Sequence, residues 1–347
     1  MATDDEARAV QHRQRMVWLD AAKGLSMLMV MFVHANALPR PDIFFSGCVA
    51  LFFVASGFTC HDFALSSDNI KKKAKRLLIP YLVYAVIFTV FAVAVLAATG
   101  KDFNFTQRLL AILYGRRYMS TDSAQNYLLL TGACAPLWFM PAMFCAYVYA
   151  YVGVWLNRKF NHASYLIISF LAFILIILPK QYDILLPWSM DVAVAGALLI
   201  GIGHYLRKVA STPYPWILLI MSVITYAVAN WLNGEVNMSI SHYGDWESVS
   251  ILLLLVVGTT AAIIAAGIGK ACEHTFIGTS LAYIGRHSLR LMCIHMFFIV
   301  TFKEALSNHV NFWIYTILAF ILIFTTDWIC QVAVNKLGGR LPLLQYV

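Results

Sequence analysis

The sequence predicts an all-α polytopic membrane protein with about ten transmembrane helices and both termini in the cytoplasm. Of its 347 residues, 61% are hydrophobic and only 12% are charged, whereas a soluble domain is about half apolar and a quarter charged. The apolar residues form ten runs, each close to the roughly 20 residues that a helix needs to cross the hydrocarbon core. Lys and Arg are concentrated on one side of these runs, which orients the chain.

The ten apolar runs follow one another with mostly short connections. They lie at residues 22–38, 43–60, 77–98, 136–156, 163–179, 185–205, 215–232, 249–269, 276–300 and 312–335. The longest connection, 99–135, contains the stretch FTQRLLAILY at 105–114, which predicts a surface helix. We interpret residues 1–14 as a disordered cytoplasmic tail and residues 15–340 as a single transmembrane domain.

The distribution of Lys and Arg predicts that the N-terminus lies inside. Fifteen of these residues then fall on cytoplasmic segments and seven on outer segments, where the adjacent Arg116 and Arg117 argue mildly against the assignment. We interpret the net charge of +8 as a topology signal beside anionic lipid, and not as a nucleic-acid-binding surface. The seven cysteines show no CxxC spacing and no HExxH motif is present, so the sequence predicts no metal site.

Three ionisable residues lie in or beside the first apolar run. The stretch LDAAKGLSMLMVMFVHAN (19–36) contains Asp20, Lys23 and His34. In a helix, Lys23 and His34 are about 16 Å apart along the axis on nearly the same face, and Asp20 lies close to that face. Ionisable groups inside a membrane are costly and usually functional. An interfacial Asp20–Lys23 pair and a hydrogen-bonded core histidine are the structural alternatives, but the shared face favours a functional site.

Six segments carry a family resemblance. In chain order they are RMVWLDAAKGLSMLMVMFVHAN (15–36), ALFFVASGF (50–58), KKKAKRLLIPYLVY (71–84), PLWFMPAMF (136–144), LPWSMDVAVAGALLIGIGHYLRK (186–208) and YIGRHSLRLMCIH (283–295). Together they resemble the acyltransferase type 3 family of membrane acyltransferases, and most closely its fucose 4-O-acetylase-like branch. Lys23 and His34 fit the family's spacing of a basic residue, ten intervening residues and a histidine.

The resemblance implies a membrane O-acyltransferase. Such enzymes move an acetyl or short acyl group from cytoplasmic acetyl-CoA to a hydroxyl of an extracytoplasmic or lipid-linked sugar of a surface glycan. For this chain the resemblance implies acetyl-CoA as co-substrate, a sugar or glycan acceptor, contact with membrane lipids, no nucleic acid and a place in the bacterial inner membrane. The alternatives are a secondary transporter or channel for a small polar solute and a membrane sensor or scaffold. The sequence shows neither the internal repeat of many transporters nor an appended soluble domain.

Acyl transfer to a hydroxyl needs a general base, and His34 is the candidate. A neutral imidazole accepts a hydroxyl proton near neutral pH, and Pro39 soon ends the run, which places His34 in the outer half of its helix. Asp191 is the candidate for orienting His34, because about six residues into the sixth run it reaches a similar depth. The alternative for Asp191 is an anion stabilised by the dipole at a helix N-terminus.

The phosphates of CoA need a basic site on the cytoplasmic side. The candidates are Lys23, positioned by Asp20, and the pair Lys73 and Arg76, with Lys72 and Lys75 as helpers. By resemblance, Lys73-x-x-Arg76 stands for the family's Arg-x-x-Arg, although Lys lacks the bidentate fork of Arg. The alternative is a positively charged flank that touches lipid head groups.

Four further residues complete the candidates. By resemblance, Trp138 lines a tunnel for the acyl donor, whereas by its position alone it is an interface-belt residue. His295 enters the site through the resemblance only. Arg286 and Asp327 lie at similar depths in the last two runs, and we expect them to form a buried structural ion pair, the alternative being a role for Arg286 in the donor path.

Overall fold

The computed structural model describes residues 16–37, 41–60, 63–98, 104–116, 137–161, 163–177, 181–209, 215–234, 236–245, 249–306 and 310–337. Within these ranges the chain forms twelve α-helices and no strand. The helices are α1 (Val17–His34), α2 (Pro41–Thr59), α3 (Ser67–Ala98), α4 (Phe105–Tyr114), α5 (Phe139–Phe160), α6 (Ala163–Ala172), α7 (Met190–Val209), α8 (Pro215–Asn233), α9 (Ser250–Cys272), α10 (Phe276–Arg286), α11 (Ser288–Leu306) and α12 (Phe312–Leu337).

The all-α polytopic class is confirmed, since each of the ten predicted apolar runs falls on helical segments. Among the described residues, α1, α3, α5, α7, α8, α9 and α12 are each long and apolar enough to cross a membrane. Helix α2 contributes a shorter apolar segment, Gly47–Thr59. The predicted tail, residues 1–14, lies outside the described residues, and the sidedness of the termini stays a prediction.

The predicted surface helix is α4, with the predicted bounds 105–114. The side chain of Asn104 caps its first turn by accepting a hydrogen bond from the backbone N–H of Gln107, as an N-cap residue does. Gly115 ends the helix in the left-handed conformation, with φ 67°. Helix α4 is tied to α3, because buried Arg108 donates from Nε to the Thr89 hydroxyl at 2.8 Å.

Two of the predicted runs are irregular. The fifth continues from α6 into the π-helix Phe173–Ile177. The ninth is broken at His287, where φ is −99° and ψ is 8°, so that α10 ends at Arg286 and α11 begins at Ser288. The break changes which side chains of the two helices share a face.

Helix α1 lies at the centre of the bundle, where it packs against α2, α9, α10 and α11. At its crossing with α10 the two backbones touch. A Cβ on Gly24 would overlap the carbonyl of Leu281, and a Cβ on Gly285 would overlap the carbonyl of Asp20. Small residues at helix crossings allow such close approach in membrane proteins. The crossing fixes α1 at the level of Asp20 and Lys23.

Candidate active site

A cleft of about 120 Å³ brings together the three basic side chains that the sequence predicts to bind phosphate. Lys23 reaches it from α1, and Lys73 and Arg76 reach it from α3. We call this space the basic cleft. Its other walls come from α2, α5 and the start of α11, and include Ser56, Thr59, Phe139, Met143, Tyr147, Ser288 and Met292.

Lys23 is held at the cleft by an ion pair within α1. Its Nζ lies 2.7 Å from Asp20 Oδ1, one turn earlier. The Asp20 side chain is 8% exposed and that of Lys23 is 24% exposed, so the carboxylate stays in the bundle while the ammonium reaches the cleft. This is the arrangement expected of an aspartate that positions the lysine.

The two basic residues of α3 line the cleft one turn apart. Lys73 places its ammonium 3.6 Å from the centre of the Tyr147 ring on α5, a cation–π contact that orients the side chain. Lys72 and Lys75 are exposed and are not among the residues that line the cleft. Their predicted helper role therefore has no geometric support.

The start of α11 adds positive potential to the same space. Ser288, its first residue, and Leu289 line the basic cleft. The N-terminus of an α-helix carries a partial positive charge and unpaired N–H groups, which favour anions. The sequence did not predict this feature, because the ninth run shows no proline or other signal for the break at His287.

The candidate base, His34, stands beside a second histidine. It is the last residue of α1, and its ring centre lies 5.1 Å from that of His295 on α11. His34 Nδ1 is 2.8 Å from the Val30 carbonyl. His295 Nδ1 is 3.0 Å and 2.9 Å from the carbonyls of Leu291 and Met292.

These contacts define what the two rings can do. A carbonyl oxygen only accepts hydrogen bonds, so each neutral imidazole carries its proton on Nδ1 and presents Nε2 as an acceptor. His295 is buried, and its Nε2 has no hydrogen-bond partner within the described part of the chain. A buried acceptor nitrogen on His295, beside the His34 ring, suits a ligand that donates hydrogen bonds, such as a hydroxyl.

One helix, α11, contributes residues to both the basic cleft and the histidine pair. Met292 lines the cleft, and its carbonyl is one of the hydrogen-bond acceptors for His295, three residues further along α11. Three residues of helix rise about 4.5 Å. The anion site and the histidine pair therefore include residues from neighbouring turns of α11.

Asp191 has partners other than the one predicted. Its Oδ1 lies 2.7 Å from Nη1 of Arg116, and the Ser241 hydroxyl donates to its other oxygen. Within the described residues, the hydrogen bonds and ion pairs of Asp191 do not include His34. The role of Asp191 in orienting His34 stays a prediction. In the structure, the backbone carbonyl of Val30 accepts a hydrogen bond from the imidazole.

Arg116 is fully buried and joins three segments. Its guanidinium also donates to the Leu186 carbonyl at 3.0 Å, to the Ser241 hydroxyl at 2.6 Å and to the Ser239 carbonyl at 3.3 Å. It therefore links the end of α4 to the first turn of α7 and to the loop after α8. A buried, paired arginine is a poor indicator of sidedness, so Arg116 carries little weight against the predicted orientation. Arg117 lies outside the described residues.

Trp138 is buried immediately before α5. Its ring lies edge-on to Phe139, with 6.1 Å between the ring centres. Phe139 lines the basic cleft and Trp138 does not. The predicted contact between Trp138 and the acyl donor stays a prediction.

The predicted Arg286–Asp327 pair is wrong, because Asp327 pairs with Arg290. Arg290 Nη1 lies 3.2 Å from Asp327 Oδ1. His287 Nδ1 is 3.0 Å from the second oxygen, without the alignment of a hydrogen bond, and the Tyr283 hydroxyl donates to that oxygen at 3.1 Å. Arg286 lies just before the break at His287, where it is exposed and lies over the Tyr283 ring. It therefore does not reach Asp327, although the two residues lie at similar depths.

His295 is the residue that reasoning from spacing alone missed. It lies far from His34 in the sequence, and no local pattern connects the two. The signal was the resemblance of YIGRHSLRLMCIH (283–295) to a family segment that ends in histidine.

Comparisons with known proteins support one family. A search of curated proteins and a search of solved structures each find no match. The family model described as an acyltransferase domain matches residues 16–331. This match includes all the helices of the basic cleft and the histidine pair, while the closer placement in the fucose 4-O-acetylase-like branch stays a prediction. The chain belongs to the acyltransferase type 3 family of membrane acyltransferases.

Proposed function

We propose that the protein is an acyl-CoA-dependent O-acyltransferase that moves an acetyl, or another short acyl, group from cytoplasmic acetyl-CoA to a sugar hydroxyl of a surface glycan. The observation that supports it best is that the same two helices, α1 and α11, carry both the basic cleft and the histidine pair. The cleft suits a polyanion, and the histidine pair suits a hydroxyl.

The donor binds with its phosphates in the basic cleft. Lys23, Lys73 and Arg76 supply positive charge, and the N-terminus of α11 supplies backbone N–H groups. The predicted orientation puts this end on the cytoplasmic side, where acetyl-CoA is found. The thin pantetheine arm of CoA then extends toward the histidine pair and carries the thioester with it.

At the histidine pair, His34 acts as the general base. Nε2 takes the proton of the acceptor hydroxyl while the hydroxyl oxygen attacks the thioester carbonyl. The new C–O bond forms, the C–S bond breaks, and the proton passes to the departing CoA thiolate. His295 accepts a hydrogen bond from the bound acceptor and so positions it. Direct transfer in a ternary complex is favoured, because the sequence places no Ser or Cys nucleophile beside His34.

The decisive experiment measures transfer by purified protein in lipid nanodiscs. Acetyl-CoA is supplied with oligosaccharide or lipid-linked sugar acceptors, CoA thiol release is followed, and acetylated product is identified by mass spectrometry. We expect CoA release that depends on the acceptor and is lost in His34→Ala. The exposed His274 offers a matched control, His274→Ala, which should retain activity. Solute uptake into vesicles without CoA release would reverse the proposal in favour of a transporter.

The acceptor itself is identified in cells. Mass spectrometry of surface glycans, compared between cells with and without the gene, should show loss of one O-acetyl group. Restoring the gene with His34→Ala should leave that group absent, whereas restoring it with His274→Ala should return it. Unchanged glycan acetylation would refute the proposed acceptor class.

A further inference from the structure

A second cavity lies beside α1, and its walls are apolar where those of the basic cleft carry charge. It holds about 390 Å³ and is lined by α1, α2, α7, α8 and α9. We call it the lateral groove. Every residue that lines it is apolar except Lys270. Its volume lies in the range of ligand-binding pockets, about 300–1,000 Å³.

The packing of α8 creates the lateral groove. Helix α8 packs closely against α9 and only slightly against α2, so a space remains on its side toward α7. Small residues deepen this space, with Ala22 on α1, Ala55 on α2 and Gly267 on α9 among its walls. On the outer face of α8, Trp216 is 61% exposed, so the groove reaches the surface of the bundle that faces lipid.

The walls of the groove select an apolar occupant. A sugar, a nucleotide or a peptide backbone would leave polar groups without hydrogen-bond partners there, which is strongly unfavourable in a medium that cannot hydrogen-bond. A hydrocarbon chain has no such groups. The groove therefore fits an acyl chain and excludes the polar substrates proposed for the basic cleft.

Lys270 supplies a single positive charge at the end of this apolar space. It lies in the last turn of α9, is exposed, and has its ammonium 5.2 Å from the centre of the Trp18 ring. No ion pair of Lys270 occurs among the residues that the structure describes. In the predicted orientation, Lys270 and Trp18 lie at the cytoplasmic surface, where anionic lipid head groups are concentrated.

We propose that the lateral groove binds one acyl chain of an anionic phospholipid from the cytoplasmic leaflet, with the lipid phosphate beside Lys270. The apolar walls recognise the chain and the ammonium recognises the head group. Ala55 lines both the lateral groove and the basic cleft, so the bound chain supports the wall of α1 and α2 that separates them.

Native mass spectrometry of the full chain in a neutral detergent tests this assignment. The protein is titrated with phosphatidylglycerol or with phosphatidylcholine of the same chain length, and the fraction carrying one lipid is measured. We expect tighter retention of phosphatidylglycerol. Lys270→Gln should weaken that retention about fivefold and leave phosphatidylcholine unchanged. Lys336→Gln, also at an exposed lysine in the last turn of a helix, should leave both unchanged.

Two further measurements distinguish recognition of the acyl chain from recognition of the head group. Ala266→Leu, which narrows the groove on α9, should reduce retention of both lipids, with folding checked by size-exclusion chromatography. Glycerophosphoglycerol, the head group without chains, should not compete. Equal retention of the two lipids by the unchanged protein, equal losses in Lys270→Gln and Lys336→Gln, or competition by the free head group would overturn the proposal.

Discussion

The buried carboxylate of Asp327 provides the sharpest test of the structure. Its side chain is fully buried, and Arg290, whose side chain is 13% exposed, is its cationic partner. We consider Arg290→Met, which keeps an apolar side chain of similar length while removing the charge. Breaking a buried ion pair by removing one partner costs about 3–5 kcal/mol, because the remaining charge is left uncompensated.

The structure indicates that the free-energy cost of Arg290→Met lies at the lower end of that range. After the substitution, Tyr283 still donates to Asp327 at 3.1 Å, and His287 still lies 3.0 Å away. Because the Tyr283 hydroxyl continues to stabilise the carboxylate, we expect a loss near the lower limit, about 3 kcal/mol. Replacing both partners, with Arg290→Met and Asp327→Leu, should cost less than the sum of the two single losses.

The assay is equilibrium unfolding in mixed micelles with increasing dodecyl sulfate, followed by circular dichroism. Arg286→Met is the matched control, since this exposed arginine lies four residues earlier, and we expect a change within about 0.5 kcal/mol. Additive losses in the double-mutant cycle, or an equal loss in Arg286→Met, would show that the assigned pairing is wrong.

Three further predictions concern the proposed site and its support. The double variant Lys73→Ala, Arg76→Ala should weaken acetyl-CoA binding by at least tenfold in calorimetry, and the loss should be larger at low salt. The control variant Lys71→Ala, at an exposed lysine, should have little effect. Equal effects would mean that the segment sets the membrane topology and does not bind phosphate. His34→Ala should abolish transfer while donor affinity stays within a few-fold, and the wild-type rate should rise with pH because only neutral imidazole accepts the proton; an active variant would place the base elsewhere. Arg116→Met should lower unfolding stability by about 3–5 kcal/mol, and unchanged stability would contradict the buried network.

Much of the fold follows from local signals in the sequence. The bounds of α4 were predictable, because Asn104 and Gly115 are a strong N-cap and a strong helix terminator. The anion site was predictable in part, since the three-residue spacing of Lys73 and Arg76 places both on one helix face. The position of Lys23 opposite them depends on how α1 and α3 pack. The family resemblance predicted that Lys23 joins them, whereas residue spacing alone did not.

The partners of buried charges were not predictable in the same way. Asp327 was assigned to Arg286 because the two lie at similar depths, but the ninth run breaks at His287 and Arg290 forms the pair. Asp191 was assigned by depth alone, but Arg116 reaches it from a connection whose course has no periodic signal. Depth along the membrane normal can be estimated from helix rise, whereas contacts between distant segments depend on the whole packing arrangement.

The contact between α1 and α10 determines how the basic cleft is able to admit a large ligand. Where Gly24 and Gly285 bring two backbones together, no side chain remains that can rearrange to let one helix slide along the other. We therefore expect the side of the cleft that carries Lys23 to stay in place when a ligand binds. Room for a ligand larger than the cleft is then expected to come from α3 and α5, which meet across the cleft through the contact of Lys73 with Tyr147.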